Sequence, residues 1–303
     1  MIEVAPNYYR KFNCIADKCK HSCCIGWEID IDEETMDFYN LLDTKLGERI
    51  RENIDGSVPH FVLTDGERCP FLNKNGLCDI ICEYGEDALC DICFLHPRFK
   101  NFYSSFTEIG LGLCCEEAAR VILTQKEKFF VELPDDIELT DGEKEYFSKR
   151  QEIFDLLQDR EKSVSERLRE LSNEFGFDFD FSLNELVKFY LSLERLDEKW
   201  TEELNKLNGF VFDCEIFDDN DFLVPFEQLA IYFIFRHMDE AMYDGDYSKI
   251  VKFSLMSCYL IGALTSRYLK EKSSIKLNKM IDFARMYSSE VEYSENNIQK
   301  LTR

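Results

Sequence analysis

The sequence has little positive charge and no long apolar run. Its 36 Lys and Arg residues face 60 Asp and Glu residues, which gives a formal net charge of −24. Such a chain repels phosphate backbones, and because no local basic patch interrupts it, we expect no nucleic-acid binding. The longest apolar stretch, Phe253 to Leu264, is interrupted by Ser254, Ser257 and Gly262. It is shorter than the roughly 20 apolar residues that a membrane-spanning helix needs, so it is typical of a buried helix and predicts no membrane association.

A secretory leader and a glycine-rich nucleotide loop are also missing. The chain begins MIEVAPN, without a basic segment followed by an apolar run. We therefore expect a soluble cytoplasmic protein, in a compartment that keeps thiols reduced. No glycine-rich loop follows a predicted strand, which argues against a Rossmann-type nucleotide site. Histidine is scarce, with 4 residues, and we interpret His21, which lies inside the first cysteine motif, as a bystander.

Cysteine is abundant in one part of the chain and nearly absent from the rest. Of the 13 cysteines, eleven lie between Cys14 and Cys115, and only Cys214 and Cys258 follow. Those two stand among apolar residues, and free cysteine packs as a small hydrophobe. We therefore predict that Cys214 and Cys258 are core residues and that the other eleven cysteines belong to one functional site.

The second half of the sequence is typical of a helical domain. Leu, Phe, Val and Tyr recur there at the spacing of amphipathic helices, after an acidic stretch at 132–145 that we interpret as an exposed connection. We predict a mainly α fold, with an irregular cysteine-rich metal-binding domain at 1–131 and an α-helical domain at 132–303. The predicted helices of the second domain cover 142–172, 184–207, 225–243, 247–272 and 275–290.

The first domain is predicted to contain shorter elements. A helix is expected over Asp32–Leu46, with Asp32 as its N-cap, because a short acidic side chain precedes the first apolar positions. Strands are expected at 28–31 and 61–64, and the segment 110–123 is expected to lead into a second helix.

The spacing of the cysteines leaves three kinds of site open. A disulfide scaffold is disfavoured by the odd number of cysteines and the expected reducing compartment. Structural zinc prefers two C-x2-C knuckles, and only Cys90 and Cys93 have that spacing, so zinc remains the alternative. An iron–sulfur cluster takes thiolates from scattered loops and is the interpretation that we favour. The C-x3-C-x2-C spacing of radical S-adenosylmethionine enzymes is absent, because Cys24 follows Cys23 directly and position 26 is glycine.

A series of short motifs runs through the N-terminal part in a specific order. Its members are Pro6-x-Tyr8, Phe12-x-Cys14, Cys23-Cys24-x-Gly26-Trp27, Ile29-x-Ile31-Asp32, Cys69-Pro70-Phe71-Leu72, Gly76-Leu77-Cys78-x-Ile80, Cys93-x3-Pro97-Arg98 and Cys115-x-Glu117-Ala118-Ala119-Arg120. This order and spacing, over about residues 6–123, resemble the flagellin lysine-N-methylase family of bacteria. The resemblance implies an enzyme that methylates lysine ε-amines of flagellin with S-adenosylmethionine and a four-iron, four-sulfur (4Fe-4S) cluster. The helical remainder matches the family only in general character.

The resemblance also implies which thiols hold the metal. The cysteines that match the family pattern are Cys14, Cys19, Cys23, Cys24, Cys69, Cys78, Cys93 and Cys115, whereas Cys82, Cys90 and Cys114 look like additions of this sequence. Two positions depart from the pattern. Cys114-Cys115-Glu116-Glu117 stands where the family commonly has Ser-Cys-Pro-Glu, and His96 stands where it commonly has Tyr. The four cluster ligands therefore stay open within the larger set.

Methyl transfer to lysine requires a neutral amine, because an ammonium group has no lone pair. The ordinary pKa of lysine is about 10.4, so a site must desolvate the amine or supply a base. No catalytic residue can be assigned from the sequence; the candidates are Glu28, Asp30, Asp32, Tyr103, Glu108 and Glu117. Trp27, beside the double cysteine, and Arg98, after Pro97, are candidates for cofactor binding. Core packing of Trp27 and a surface ion pair of Arg98 are the alternative interpretations.

Two classes of function are compatible with these patterns. The first is an iron–sulfur protein lysine methylase with flagellin as its protein partner. The second is a non-catalytic module in which zinc or a cluster holds the fold or senses redox state, since metal binding supplies much of a small domain's folding free energy.

Overall fold

The computed structural model describes residues 2–271 and 276–303, and its fold is mainly helical. The chain forms two compact units. One comprises Asn13–Arg98 and is named the thiol unit; the other comprises Met1–Phe12 and Phe99–Arg303 and is named the helical unit. The domain boundary predicted at residue 131 lies inside the helical unit.

The strands are short, and most of their residues lie in one small sheet of the helical unit. They are β1 (Ile2–Val4), β2 (Ile54–Asp55), β3 (His60–Phe61), β4 (Arg98–Phe102) and β5 (Phe106–Leu111). The sheet has the order β1-β5-β4, and β1 pairs with β5 in parallel, with Ile2 opposite Phe106. Every residue of β5 is buried, as expected for a central strand that is covered on both faces.

The hairpin of β2 and β3 belongs to the thiol unit, where the two strands run antiparallel. The prediction of strands at 28–31 and 61–64 was wrong in extent. Asp30 forms a single bridge with His60, and Thr64 forms a single bridge with Arg68. Of the residues in the two predicted segments, Phe61 alone lies in a strand, as the last residue of β3, so no ladder extends along the full length of either segment.

The α-helices carry most of the structure. They are α1 (Glu33–Leu41), α2 (Lys45–Glu52), α3 (Asp79–Tyr84), α4 (Asp91–Leu95), α5 (Glu116–Leu123), α6 (Asp141–Leu157), α7 (Val164–Glu174), α8 (Leu183–Leu191), α9 (Glu198–Asn205), α10 (Leu223–His237), α11 (Ala241–Asp244), α12 (Tyr247–Glu271), α13 (Lys276–Tyr287) and α14 (Glu295–Leu301). A π-helical segment, Ser288–Glu292, continues α13. The predicted helices are therefore confirmed as helical regions, although 142–172, 184–207 and 225–243 each contain two α-helices. Lys272 and Ile275, at two predicted ends, lie outside the described residues.

Capping residues explain why two of the predicted helices are each divided in two. The predicted N-cap is confirmed, because the Asp32 carboxylate accepts a hydrogen bond from the Thr35 N–H at 2.9 Å. The extension to Leu46 was wrong, because Thr44 caps a new helix, α2, by accepting from the Gly47 N–H at 3.0 Å. Likewise Ser163 begins α7 with a reciprocal capping box, which separates it from α6.

The core of the helical unit is built around α10 and α12. Nearly every residue of α10 is buried, which is typical of a helix surrounded by others. Cys214 and Cys258 are buried in this core, so the prediction for them is confirmed. Within 2–271 and 276–303, no helix is both long and apolar enough to cross a membrane.

The acidic connection at 132–145 is largely exposed, with one exception. Glu143 is buried at the start of α6, where its carboxylate accepts hydrogen bonds from the Ser104 N–H and hydroxyl, both at 2.7 Å. Burial raises the pKa of Glu143, but these bonds and those from Thr140 outweigh it and lower that pKa to about 2. This carboxylate therefore anchors the helix start instead of facing solvent.

Candidate functional site

Five thiols of the thiol unit belong to one hydrophobic core. Cys69 and Cys90 are buried in it, and Cys24, Cys78 and Cys93 are half-buried and pack against it. We name these five residues the thiol core. Four of them match the family pattern, whereas Cys90 looks like an addition of this sequence. The only signal for Cys90 in the sequence is its C-x2-C spacing to Cys93.

Turns and helix starts bring the thiol core together. Cys78 is the N-cap of α3 and Cys90 is the N-cap of α4. The Cys69 N–H donates to the Cys24 carbonyl oxygen at 2.8 Å, which joins two loops that are distant in sequence. Gly26 follows with a φ of 95°, a left-handed conformation that glycine adopts without strain. Its N–H donates to the Glu67 carbonyl oxygen at 2.9 Å, which fixes the turn after Cys24.

Hydrogen bonds between thiols set their protonation. The bond between Cys90 and Cys93 lowers the pKa of Cys90 and, together with burial, raises that of Cys93. The bond from Cys23 lowers the pKa of Cys24 to about 7. Burial raises the pKa of Cys69 to about 12. Thiolates that are packed in one core repel one another, so a bound metal cation would favour full ionisation of the thiol core.

The donor chemistry of the thiol core fits a soft metal or a cluster, because thiolates are the preferred ligands of iron–sulfur clusters and suit zinc as well. In the described ranges, however, no three His, Cys, Asp or Glu side chains converge on a common metal position. A metal bound by the thiol core would therefore have to draw the thiols inward from these positions.

The other predicted ligands lie elsewhere. Cys14 and Cys23 are exposed, and Cys19 donates its thiol hydrogen to the His21 carbonyl oxygen at 3.3 Å. Cys115 is in the helical unit, as the N-cap of α5. The structure thus gathers Cys24, Cys69, Cys78 and Cys93 of the predicted set. Cys23 is exposed but hydrogen-bonds to Cys24 of the thiol core, whereas Cys14, Cys19 and Cys115 do not belong to that core.

The two predicted cofactor-binding residues are both half-buried in the thiol unit. The Trp27 indole N–H donates to the Cys23 carbonyl oxygen at 2.6 Å, and its ring lies 5.9 Å from the His96 ring between centroids. The Arg98 guanidinium donates to the Phe94 carbonyl oxygen at 3.2 Å. These contacts hold both side chains on the thiol unit and leave their predicted role untested.

The candidate bases differ in accessibility. Glu28 is exposed and pairs with His60 at 3.0 Å between Oε1 and Nε2, and Asp30 is exposed as well. The Asp32 carboxylate is engaged at two helix starts, α1 and α4. The remaining three, Tyr103, Glu108 and Glu117, lie in the helical unit, the first two of them in a buried hydrogen-bonded network and the third paired with Arg120.

A second buried polar cluster in the helical unit was not predicted. The Glu292 carboxylate, at the end of the π-helical segment, pairs with Arg236 at 3.3 Å and with His237 at 2.7 Å, and the Tyr232 hydroxyl donates to it at 3.0 Å. The Cys114 thiol donates to the Tyr293 hydroxyl at 2.9 Å, next to this cluster. No spacing rule in the sequence connects these positions.

Comparison with known proteins gives distant relatives that cover half of the chain. Two proteins named Lysine-N-methylase, from Salmonella typhimurium and Salmonella choleraesuis, are each 25% identical over 163 residues, which is 50% of this chain and 40% of the relative. The protein named Flagellar biosynthetic protein FliU, from Salmonella muenchen, is 29% identical over 172 residues, 53% of this chain and 93% of the relative. The match thus spans well under half of the two Lysine-N-methylases. No family model matches the sequence, and no solved structure matches it.

Proposed function

We propose that this protein is a methyltransferase that transfers methyl groups from S-adenosylmethionine to lysine side chains of flagellin, with an iron–sulfur cluster held by the thiol core. The observation that carries the proposal is the similarity to relatives named for lysine methylation and for flagellar biosynthesis. The ordered motifs of the N-terminal part, which resemble the flagellin lysine-N-methylase family, support the same function.

The thiol core supplies the ligand set of this proposal. Cys24, Cys69, Cys78 and Cys93 match the family pattern, and Cys90 joins them because it is buried in the same core and hydrogen-bonded to Cys93. When bound, a cluster supplies one-electron chemistry or an iron that acts as a Lewis acid. Cys14, Cys19, Cys23 and Cys115 stay predicted ligands only.

The acidic character of the chain suits a lysine-rich partner. A net charge of −24 attracts cationic protein surfaces and speeds their association. The substrate lysine must still lose its proton before transfer. Of the six candidate bases, Glu28 and Asp30 carry exposed carboxylates in the thiol unit, so they are the candidates for that step that a substrate can reach.

A structural metal module is the second candidate. It is favoured by the position of Cys69 and Cys90 inside the hydrophobic core, because buried thiols around a metal stabilise a small unit whether or not the metal reacts. In that case the bound metal would be zinc or a cluster without access to substrate.

The deciding experiment is methylation of flagellin by anaerobically purified protein with S-adenosylmethionine, read by mass spectrometry of flagellin peptides. We expect methyl groups on lysine. The test variant is Cys69→Ser, and the matched control is Cys214→Ser, because both thiols are buried to the same degree, at 7% and 8% exposure. Only Cys69 belongs to the thiol core.

Loss of iron, sulfide and methylation in Cys69→Ser, with all three retained in Cys214→Ser, supports the proposal. Unmodified flagellin after incubation with cluster-loaded wild-type protein contradicts it. Zinc without sulfide in wild-type protein, again without methylation, favours the structural module.

A further inference from the structure

A pocket of about 480 Å³ opens between α2 and α3 of the thiol unit. Its lining combines two cations, two carboxylates, one apolar side chain and one thiol: Lys45, Arg49, Asp79, Glu83, Leu46 and Cys82. This volume is within the range of small-molecule sites. A free amino acid carries one carboxylate and one ammonium group, and a pocket with both signs of charge is complementary to that zwitterion.

The Arg49 guanidinium is fixed in place before any ligand binds. It donates to Asp79 at 2.8 Å and to the Pro70 carbonyl oxygen, and it stacks over the Phe71 ring with its carbon 5.3 Å from the centroid. Asp79 is held in turn by the Asn73 amide at 3.0 Å. A guanidinium has five N–H donors in a rigid fork, so donors remain for a ligand carboxylate.

Lys45 and Glu83 provide the uncommitted charges. Among the residues that the structure describes, neither forms an ion pair, and both are exposed at the pocket. Lys45 is therefore available to a ligand carboxylate and Glu83 to a ligand cation. Leu46, buried beneath them, offers an apolar surface to a short aliphatic chain.

An aromatic pair lies next to residues of the pocket lining, although neither ring is part of that lining. Tyr84 follows Glu83, and its hydroxyl hydrogen-bonds to the Thr44 hydroxyl, directly before Lys45. The Phe38 ring packs edge-on against Tyr84, with centroids 6.4 Å apart, and stays 39% exposed. An exposed ring beside a charged pocket is a stacking surface for a planar base.

From this arrangement we infer that the α2–α3 pocket binds S-adenosylmethionine, with the methionine end between Lys45, Arg49 and Glu83 and the adenine against Phe38. The inference rests on the proposed function, which supplies the identity of the ligand; the pocket supplies the chemistry. It departs from the sequence prediction, which assigned cofactor contacts to Trp27 and Arg98.

The position of the pocket agrees with a role beside the metal. The Cys82 N–H donates to the Cys78 carbonyl oxygen at 3.0 Å, so the pocket thiol lies one helical turn from a thiol-core residue. Phe71, under Arg49, is buried in the same core as Cys69 and Cys90. The pocket lining is therefore joined to the thiol core at two points, through α3 from Cys82 to Cys78 and through the contact of Arg49 with Phe71.

The test is calorimetric binding of S-adenosylmethionine, methionine and adenosine to the anaerobically purified full chain with its metal. The variant Lys45→Gln/Glu83→Gln removes the two exposed charges without touching the core. We expect it to weaken S-adenosylmethionine and methionine binding about tenfold or more, because both lost contacts are charge-assisted. Phe38→Ala should weaken S-adenosylmethionine and adenosine binding about fivefold or more. The matched control is Lys74→Gln/Glu48→Gln, which changes the same charges at exposed positions of the thiol unit outside the pocket.

Weaker binding in the pocket variants, with wild-type affinity in the control, supports the inference. Unchanged affinity in the pocket variants, with weaker binding in Trp27→Phe or Arg98→Gln, overturns the pocket and leaves the proposed function standing. Equal weakening in the control variant also overturns it, because loss of an exposed Lys and an exposed Glu outside the pocket would then have the same effect. A wild-type protein that neither binds S-adenosylmethionine nor methylates flagellin overturns the inference and the proposed function together.

Discussion

The Glu108 carboxylate accepts two hydrogen bonds from the Arg150 guanidinium, at 2.7 and 2.5 Å, and both side chains are buried in the helical unit. The Tyr103 hydroxyl donates to the same carboxylate at 3.1 Å. A carboxylate with these partners is committed to the fold, so neither Glu108 nor Tyr103 is free to take a proton from a substrate lysine.

We expect Glu108→Gln to lower the free energy of unfolding by about 3–5 kcal/mol, because the substitution leaves the Arg150 charge buried without its partner. The measurement is urea unfolding followed by circular dichroism. Glu117→Gln is the control: its partner Arg120 is 53% exposed in the side chain, so the change should be about 1 kcal/mol or less. Equal losses in the two variants would contradict the structural role of Glu108.

Cys90 and Cys82 offer a test of the thiol core. Both look like additions to the family pattern, but Cys90 is buried beside Cys93 and Cys82 is exposed. We expect Cys90→Ser to lower the iron and sulfide per chain and the visible absorption of the anaerobically purified protein, because a hydroxyl is a poor replacement for a thiolate ligand. Cys82→Ser should keep its metal. Full metal content in both variants would exclude Cys90 from the ligand set.

The pH dependence of stability should report Glu292. Burial raises the pKa of this carboxyl, but the charge of Arg236 and the hydrogen bond with His237 outweigh it and lower the pKa from 4.5 to about 2. A group whose pKa is depressed by folding stabilises the folded state above its unfolded pKa, and this stabilisation is lost as pH falls through the folded value. The contribution should therefore decline between about pH 4.5 and about pH 2.

The measurement is the free energy of unfolding of wild type and Glu292→Gln across that pH range. The variant should be less stable at neutral pH. The difference in free energy of unfolding between wild type and variant should become smaller toward acid pH, as the wild-type carboxyl takes up its proton. Glu161→Gln, at an exposed turn, serves as the comparison and should show no such narrowing. A gap that stays constant with pH would refute the assignment.

Asp32 ties two helix starts together. Its carboxylate accepts from the Thr35 N–H of α1 at 2.9 Å and from the Asp91 N–H of α4 at 2.8 Å. Burial raises the pKa of Asp32, and these hydrogen bonds outweigh it and lower the pKa. Asp32→Ala should destabilise the thiol unit by about 1–2 kcal/mol or more, because N-H groups at both helix starts lose their acceptor.

Thermal unfolding of the metal-loaded protein measures this loss, and iron content reports whether α4, which carries Cys93, still holds its place. Asp37→Ala is the control on the exposed face of α1. An Asp32→Ala protein as stable as Asp37→Ala would show that solvent replaces the cap.

Local patterns predicted the helical half of the fold well. The span Tyr247–Lys272 agrees with α12, Tyr247–Glu271, because apolar periodicity and a buried stretch coincide there. The break between α6 and α7 was missed, although Ser163 and Glu166 form a capping box that the sequence displays. Periodicity continued across that break and concealed it.

Long-range pairing was beyond the reach of the sequence. β5 is buried on both faces and lacks the alternation of polar and apolar residues that marks a half-exposed strand. The thiol core also depends on long-range contacts. The spacing of the cysteines identified the thiols as a set, but it could not show which of them lie close together. Cys90 and Cys115 illustrate this, because the first is buried in the core of the thiol unit and the second belongs to the helical unit.

The pairing of β1 with β5 also sets an order of events during synthesis. The ribosome translates the whole thiol unit, Asn13–Arg98, after β1 and before β5. At about 5–20 residues per second, β1 leaves the ribosome about 5–20 s before its partner, which follows about 100 residues later. Every thiol of Asn13–Arg98 is therefore translated before β5 is available to pair with β1. Under the proposed function, metal can then reach these thiols on the nascent chain before the sheet of the helical unit forms.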